Sequence, residues 1–140
     1  LSSIHIAAAG WYCVPDDTVP APYGLGPAES KTILRDEIAK LSLAQLSVYL
    51  SLPVKVYVGE RDIEQDPAMR SNDTVDRSQG LNRRERAERY VKRFADAAQA
   101  HGIQPHIELQ LIPECAHDFS ACAASGQLVA AVLSLTQLPN

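Results

Sequence analysis

The sequence predicts an α/β fold: a three-stranded parallel sheet with crossover helices, in a single domain spanning residues 1–140. Two runs carry the prediction, Val54-Lys55-Val56-Tyr57-Val58 and Ile107-Glu108-Leu109-Gln110-Leu111-Ile112. Both are rich in β-branched or long apolar residues, and a long helical pattern separates them. Strands joined by a crossover helix run parallel. A third such run near the N-terminus precedes another helical pattern, so strand and helix alternate along the chain.

Residues 2–9 alternate loosely, with Ile4 and Ile6 followed by alanines, and stop at Gly10. They read as a strand of a largely buried sheet. Residues 11–27 contain Pro15, Pro20, Pro22, Pro27, Gly24 and Gly26, which exclude regular structure. The same loop carries Trp11, Tyr12 and Tyr23, and two roles stay open for them: lining a pocket or covering the core.

Residues 30–50 place Ile33, Leu34, Ile38, Leu41, Leu43, Leu46, Tyr49 and Leu50 in a helical pattern. Ser30 is the expected N-cap, and Ser42 the point where the helix restarts after a break. Pro53 opens the second strand, which ends at Gly59. Residues 63–80 are polar, with Asp66-Pro67 and Ser71-Asn72-Asp73, and read as a surface excursion beside the strand ends.

Residues 82–101 give the clearest helix, with an apolar stripe of Ala87, Tyr90, Val91, Phe94 and Ala98. The opposite face carries Arg83, Arg84, Arg86, Arg89, Lys92 and Arg93, with Glu85–Arg89 and Glu88–Lys92 as expected i,i+4 pairs. No aromatics interleave, so this face reads as solvated rather than as a nucleic-acid groove. Gly102 ends the helix. Residues 104–112 form the third strand. Residues 120–138 form a last helix, apolar at Ala121, Ala124, Leu128, Ala131, Val132 and Leu135, expected to lie mostly buried on the sheet.

The length fits one domain that buries about 68% of the unfolded chain's surface. An apolar fraction of 46% and a charged fraction of 21% are ordinary for a globular chain. A net charge of −4 gives no general attraction to nucleic acid or to an anionic membrane. No apolar run approaches the ~18–20 residues of a membrane span, and no secretion signal is visible; the compartment stays open, with the cytoplasm slightly favoured. The chain opens on strand-like residues without a methionine, which leads us to expect a processed product or a fragment. Cys13, Cys115 and Cys122 are too few for a disulfide scaffold and lack zinc-site spacing. One disulfide plus a free thiol stays open.

Asp62 follows the second strand by three residues, and His117 follows the third by five. Loops at the carboxyl ends of adjacent parallel strands can bring such a pair within hydrogen-bond reach. A histidine acting as general base needs a partner that fixes its tautomer and stabilises the imidazolium, so the pair is two thirds of a nucleophilic triad. His5, His101 and His106 lie at positions that do not fit. Asp66 is the second candidate for the acid. The bland alternatives are a packed histidine and a turn aspartate.

Val58-Gly59-Glu60-Arg61-Asp62 resembles the strand-seven element that bears the triad acid in α/β-hydrolases. Pro113-Glu114-Cys115-Ala116-His117-Asp118-Phe119 resembles their strand-eight loop, which bears the histidine. The whole chain is similar to the C-terminal half of that family, from its sixth to its eighth strand. Residues 10–16, 22–25 and 79–87 are similar to stretches of uncharacterised bacterial members near the polyhydroxyalkanoate-depolymerase-like hydrolases. The resemblance implies a serine hydrolase that cleaves a carboxylic ester, a small molecule, or a related acyl substrate. His117 would take the serine proton, Asp62 would orient it, and Trp11, Tyr12 and Tyr23 would line the acyl pocket. No metal or organic cofactor is implied.

One departure is large. The family's G-x-S-x-G elbow is absent from these 140 residues, and Ser120 and Ser125 lack its flanking pattern. The chain alone is therefore expected to be inactive. A rival reading is a non-catalytic binding or scaffold module that keeps part of the fold. Another is a metal-dependent enzyme using Cys115, His117 and Asp118 or Cys122, although no second cluster completes four ligands. A three-stranded parallel sheet leaves the edge from Ile4 to Ala9 unpaired and one face partly bare. Self-association, or pairing with a missing half, is expected through that edge.

Overall fold

A computed structural model of the chain describes residues 3–27, 44–124 and 126–133. Three strands, β1 (Ile4–Ala7), β2 (Val54–Gly59) and β3 (Ile107–Ile112), form one sheet in the order β1-β2-β3. All pairing is parallel, with Ile4 beside Val54, Val54 beside Ile107, and Gly59 beside Ile112. The predicted fold class is what the structure has. β2 is central, which explains its almost continuous run of valines: a strand covered on both faces has no solvated side to mark.

The period of two along β2 sorts its side chains between two layers. Val54, Val56 and Val58 pack into a cluster with Ala87, Tyr90, Phe94 and Ala98 of α3 (Arg83–Ala100). Tyr57 points to the other face, where it meets Ile112, Cys115, Cys122 and Leu128. The second layer comes from α4 (Phe119–Ala124) and α5 (Gln127–Leu133). The single helix expected over 120–138 is thus interrupted, because Gly126 takes φ +73°, a left-handed conformation that stops α4. Its burial is one-sided: Cys122 and Leu128 are buried, whereas Val129 and Leu133 are exposed. Ser125, Leu135 and the end of that expected helix lie outside the described residues.

α3 matches its expected span because both of its ends are capped. Asn82 accepts a hydrogen bond from the Glu85 amide at 2.9 Å, while the Glu85 carboxylate accepts from the Leu81 amide and the Asn82 side chain. At the other end Gly102 takes φ +69°, and the Ile103 and Gly102 amides donate back to Ala98 and Gln99. Of the expected ion pairs, Arg89–Glu85 forms, but Lys92 turns to Asp96 and Glu88 to Arg84. The helix expected over 30–50 falls within the described residues only at α1 (Leu46–Leu50). Ser30 and Ser42 lie outside them.

Two further expectations are corrected. The polar stretch 63–80 contains a helix, α2 (Asp73–Gln79), capped by Asn72, whose side chain accepts from the Val75 amide. Its Gln79 is fully buried, accepts from the Tyr12 amide, and donates to the carbonyls of Tyr12 and Tyr23. One side-chain amide thereby satisfies backbone groups of a loop that has little regular structure of its own. The basic face of α3 is also not uniformly solvated, for Arg83 and Arg86 are buried. Arg86 donates to the carbonyls of Gly80 and Arg70 at 2.9 and 2.8 Å, to that of Gly10, and to Asp76 at 2.6 Å. It ties the exit of β1, the loop before α2, and α2 itself to α3.

Candidate active site at the strand ends

The carboxyl ends of β2 and β3 are joined by backbone bonds that continue past the sheet. The Glu60 amide donates to the Ile112 carbonyl at 2.9 Å, and the Arg61 amide to that of Cys115 at 2.8 Å. The loop after β3 therefore lies directly over the end of β2. Gly59 permits this: a Cβ there would stand 2.8 Å from the Ala116 carbonyl oxygen and closer still to that of Cys115. A second brace is the Arg61–Glu114 ion pair on the surface.

Asp62 then turns inward. Its amide donates to the Gly59 carbonyl, and its own carbonyl accepts from the Arg84 amide in the first turn of α3. The side chain is 2% exposed. Its Oδ2 accepts from His117 Nδ1 at 3.1 Å, and its Oδ1 lies 3.7 Å from Arg83 Nη1. With Nδ1 donating to the Asp62 carboxylate, the tautomer that fits this contact carries its lone pair on Nε2. The His117 side chain is 40% exposed, and it borders a cleft of about 700 Å³ walled by residues 61–64, Asp66 and residues 116–118. Such a histidine can accept a proton from a group in the cleft while Asp62 stabilises the cation that results.

Asp118 fixes the histidine's backbone from the other side. Its Oδ1 accepts from the Ala121 amide at 2.9 Å, capping α4, and its carbonyl accepts from Cys122. Asp118 is thus held as a cap and His117 Nδ1 is held by Asp62. Among the described residues no cluster of three His, Cys, Asp or Glu side chains is arranged to hold a metal ion. None of the three cysteines is in a disulfide. Burial, then the neighbouring Cys115, pushes the Cys122 thiol up to about 12.

The other candidate acid, Asp66, has different partners. Its Oδ1 accepts from the amides of Ala68 and Met69 at 2.7 and 3.0 Å, and its Oδ2 meets Arg83 Nη1. The hydrogen bond from Arg83 is the main cause that holds its carboxyl down at about 2.

Tyr12 and Tyr23 are buried among core side chains. Tyr12 stacks on Tyr90 at 4.4 Å, and its hydroxyl finds no hydrogen-bond partner among the described residues. Burial raises that hydroxyl far above the usual phenol range, with Tyr90 and Asp62 adding to the effect. Tyr23 accepts from Asn72 at 2.7 Å and meets Trp11 edge-on at 5.4 Å. Trp11 is 36% exposed. None of the three lines the cleft beside His117. Arg83, expected on a solvated face, instead meets Asp66 and faces Asp62, and no signal in the charge pattern marks it for that contact.

No protein-family model matches the sequence, and no curated protein matches it. Solved structures do. A poly(aspartic acid) hydrolase-1 from Sphingomonas sp. KT-1 superimposes with a TM-score of 0.72 and 23% identity, over 91% of this chain and 44% of that one. LpqC, a poly(3-hydroxybutyrate) depolymerase from Bordetella parapertussis, superimposes with a TM-score of 0.70 and 26% identity, over 99% of this chain and 42% of that one. The chain therefore has a partial hydrolase-like α/β fold, and it spans less than half the length of either structure.

Proposed function

We propose that this chain supplies the acid and the base of a serine hydrolase acting on a carboxylic ester or a related acyl compound. The observation that carries this reading is the 3.1 Å contact between His117 Nδ1 and buried Asp62, which leaves Nε2 without a partner among the described residues. The similarity in fold to two hydrolases supports the same class.

In this reading a serine held outside residues 1–140 attacks the acyl carbonyl. Its hydroxyl proton passes to His117 Nε2 as the carbon–oxygen bond forms, and the same proton then goes to the departing alkoxide. Water repeats the sequence on the acyl-serine, giving the acid and free serine. Asp62 stays ionised throughout and holds the imidazolium. The part that carries the serine packs along the outer side of β1, which has no strand partner among the described residues. In this reading Trp11, the exposed member of the loop aromatics, is the one left to contact an acyl group that extends beyond the cleft.

In the protein that carries this chain, replacing His117 by Ala should reduce turnover of a p-nitrophenyl ester by about 10⁴-fold or more, with the fold intact. Turnover retained within a few-fold would overturn the reading.

A further inference from the structure

Asp62 is held by more than His117. Its two carboxylate oxygens face different neighbours, Oδ2 towards His117 Nδ1 and Oδ1 towards Arg83 Nη1. Arg83 is itself 3% exposed, and the same Nη1 makes a much closer contact with Asp66. Asp66 is anchored in turn by the amides of Ala68 and Met69. The result is a continuous file: turn amides, Asp66, Arg83, Asp62, His117. We propose that Arg83 is a positioning residue that fixes the Asp62 carboxylate for His117, with Asp66 holding its guanidinium off from a closed pair with Asp62. The proposal deepens the hydrolase reading above and rests on it for its catalytic meaning.

Three features argue for this role over a plain staple between α3 and the loop. First, the separation of 3.7 Å between Nη1 and Oδ1 is too long for a hydrogen bond, so Arg83 orients Asp62 by charge and leaves its lone pairs free. A closed, hydrogen-bonded pair would draw charge away from Oδ2 and weaken the grip on His117. Second, Arg83 Nε is buried with no partner among the described residues. A guanidinium placed for stability alone is expected to use its fork, because an unsatisfied buried donor is costly. Third, the Arg84 amide next to it holds the Asp62 carbonyl, so one turn of helix controls both the backbone and the side chain of that aspartate.

Because both contacts run through Nη1, a lysine ammonium, a point donor, can reproduce them; at a bidentate site it could not. The test is proton NMR of the Nδ1–H resonance of His117 in the protein that carries this chain, assigned by its disappearance in His117→Gln. The expected result is loss of the resonance to solvent exchange in Arg83→Met and its retention in Arg83→Lys. In Asp66→Asn the resonance should persist but move upfield, since the charge of Arg83 then falls on Asp62 alone. An unchanged resonance in Arg83→Met overturns the proposal, and so does its loss in both Arg83 variants. If Arg83→Met fails to fold, Asp66→Asn decides, and no shift there overturns it. In the active protein Arg83→Met should lower kcat by about 10²-fold with KM little changed. The resonance reports the pair whether or not it hydrolyses anything. Ester turnover that survives His117→Ala would remove the hydrolase reading while leaving the resonance to decide the positioning.

Discussion

His117 Nδ1 stands 3.1 Å from Asp62 Oδ2, although the residues are 55 apart in the chain. Parallel pairing of β2 with β3 closes that gap by setting Gly59 beside Ile112. Each residue then reaches the other by a short exit from its own strand. The loop after β3 can lie over β2 only because position 59 has no side chain.

Gly59→Ala should therefore disturb both fold and site. Its methyl group meets the carbonyls of Cys115 and Ala116, and the loop bearing His117 has to move. Overpacking of this kind costs about 1–3 kcal/mol. Urea denaturation should show that loss, and ester turnover should fall with it.

Arg86→Met should be more damaging to stability than any exposed arginine change on α3. It leaves three carbonyls and the Asp76 carboxylate without their buried cation. Removing one partner of a buried pair costs about 3–5 kcal/mol. Chemical denaturation of the variant checks this, with Arg89→Met as the comparison because Arg89 is exposed.

These two variants mark where sequence reasoning works and where it stops. The strands were legible because β-branched runs ending at Gly59 and before Pro113 need no tertiary information. α3 was legible from its stripe and from Gly102. α2 was not, because its apolar signal is essentially Val75, and the burial of Gln79 depends on backbone groups of Tyr12 and Tyr23 far away in the chain. Arg83 and Arg86 were set on a solvated face for the same reason: a charge pattern does not reveal which carbonyls and carboxylates the fold brings to it. The order of chain positions did suggest that Asp62 and His117 share one edge. It did not indicate that Tyr12 and Tyr23 turn into the core while Trp11 stays half-exposed.

Acid should weaken the fold partly through Asp66. Its folded carboxyl is held down at about 2 by Arg83, below the 3.8 of an unperturbed aspartate. A depressed carboxyl contributes stability that is complete above its unfolded value and is lost as pH falls through its folded one. The urea midpoint should therefore drop between about pH 4 and pH 2, and Asp66→Asn should flatten that part of the curve. An equal slope in parent and variant would count against the pairing.

The outer edge of β1 should not stay bare. A parallel strand with an open edge recruits another strand. Residues 1–140 prepared alone should elute in size-exclusion chromatography as an associated species. A stable, monodisperse monomer would contradict this.

The central claim is that Asp62 holds His117 as the base of a hydrolase. Asp62→Asn tests it most directly, because the side chain keeps its shape but loses its charge and turns one acceptor oxygen into a donor. In the protein that carries this chain, kcat/KM for an ester should fall by about 10⁴-fold while circular dichroism stays unchanged. A value within a few-fold of the parent, with the same fold, would contradict the account.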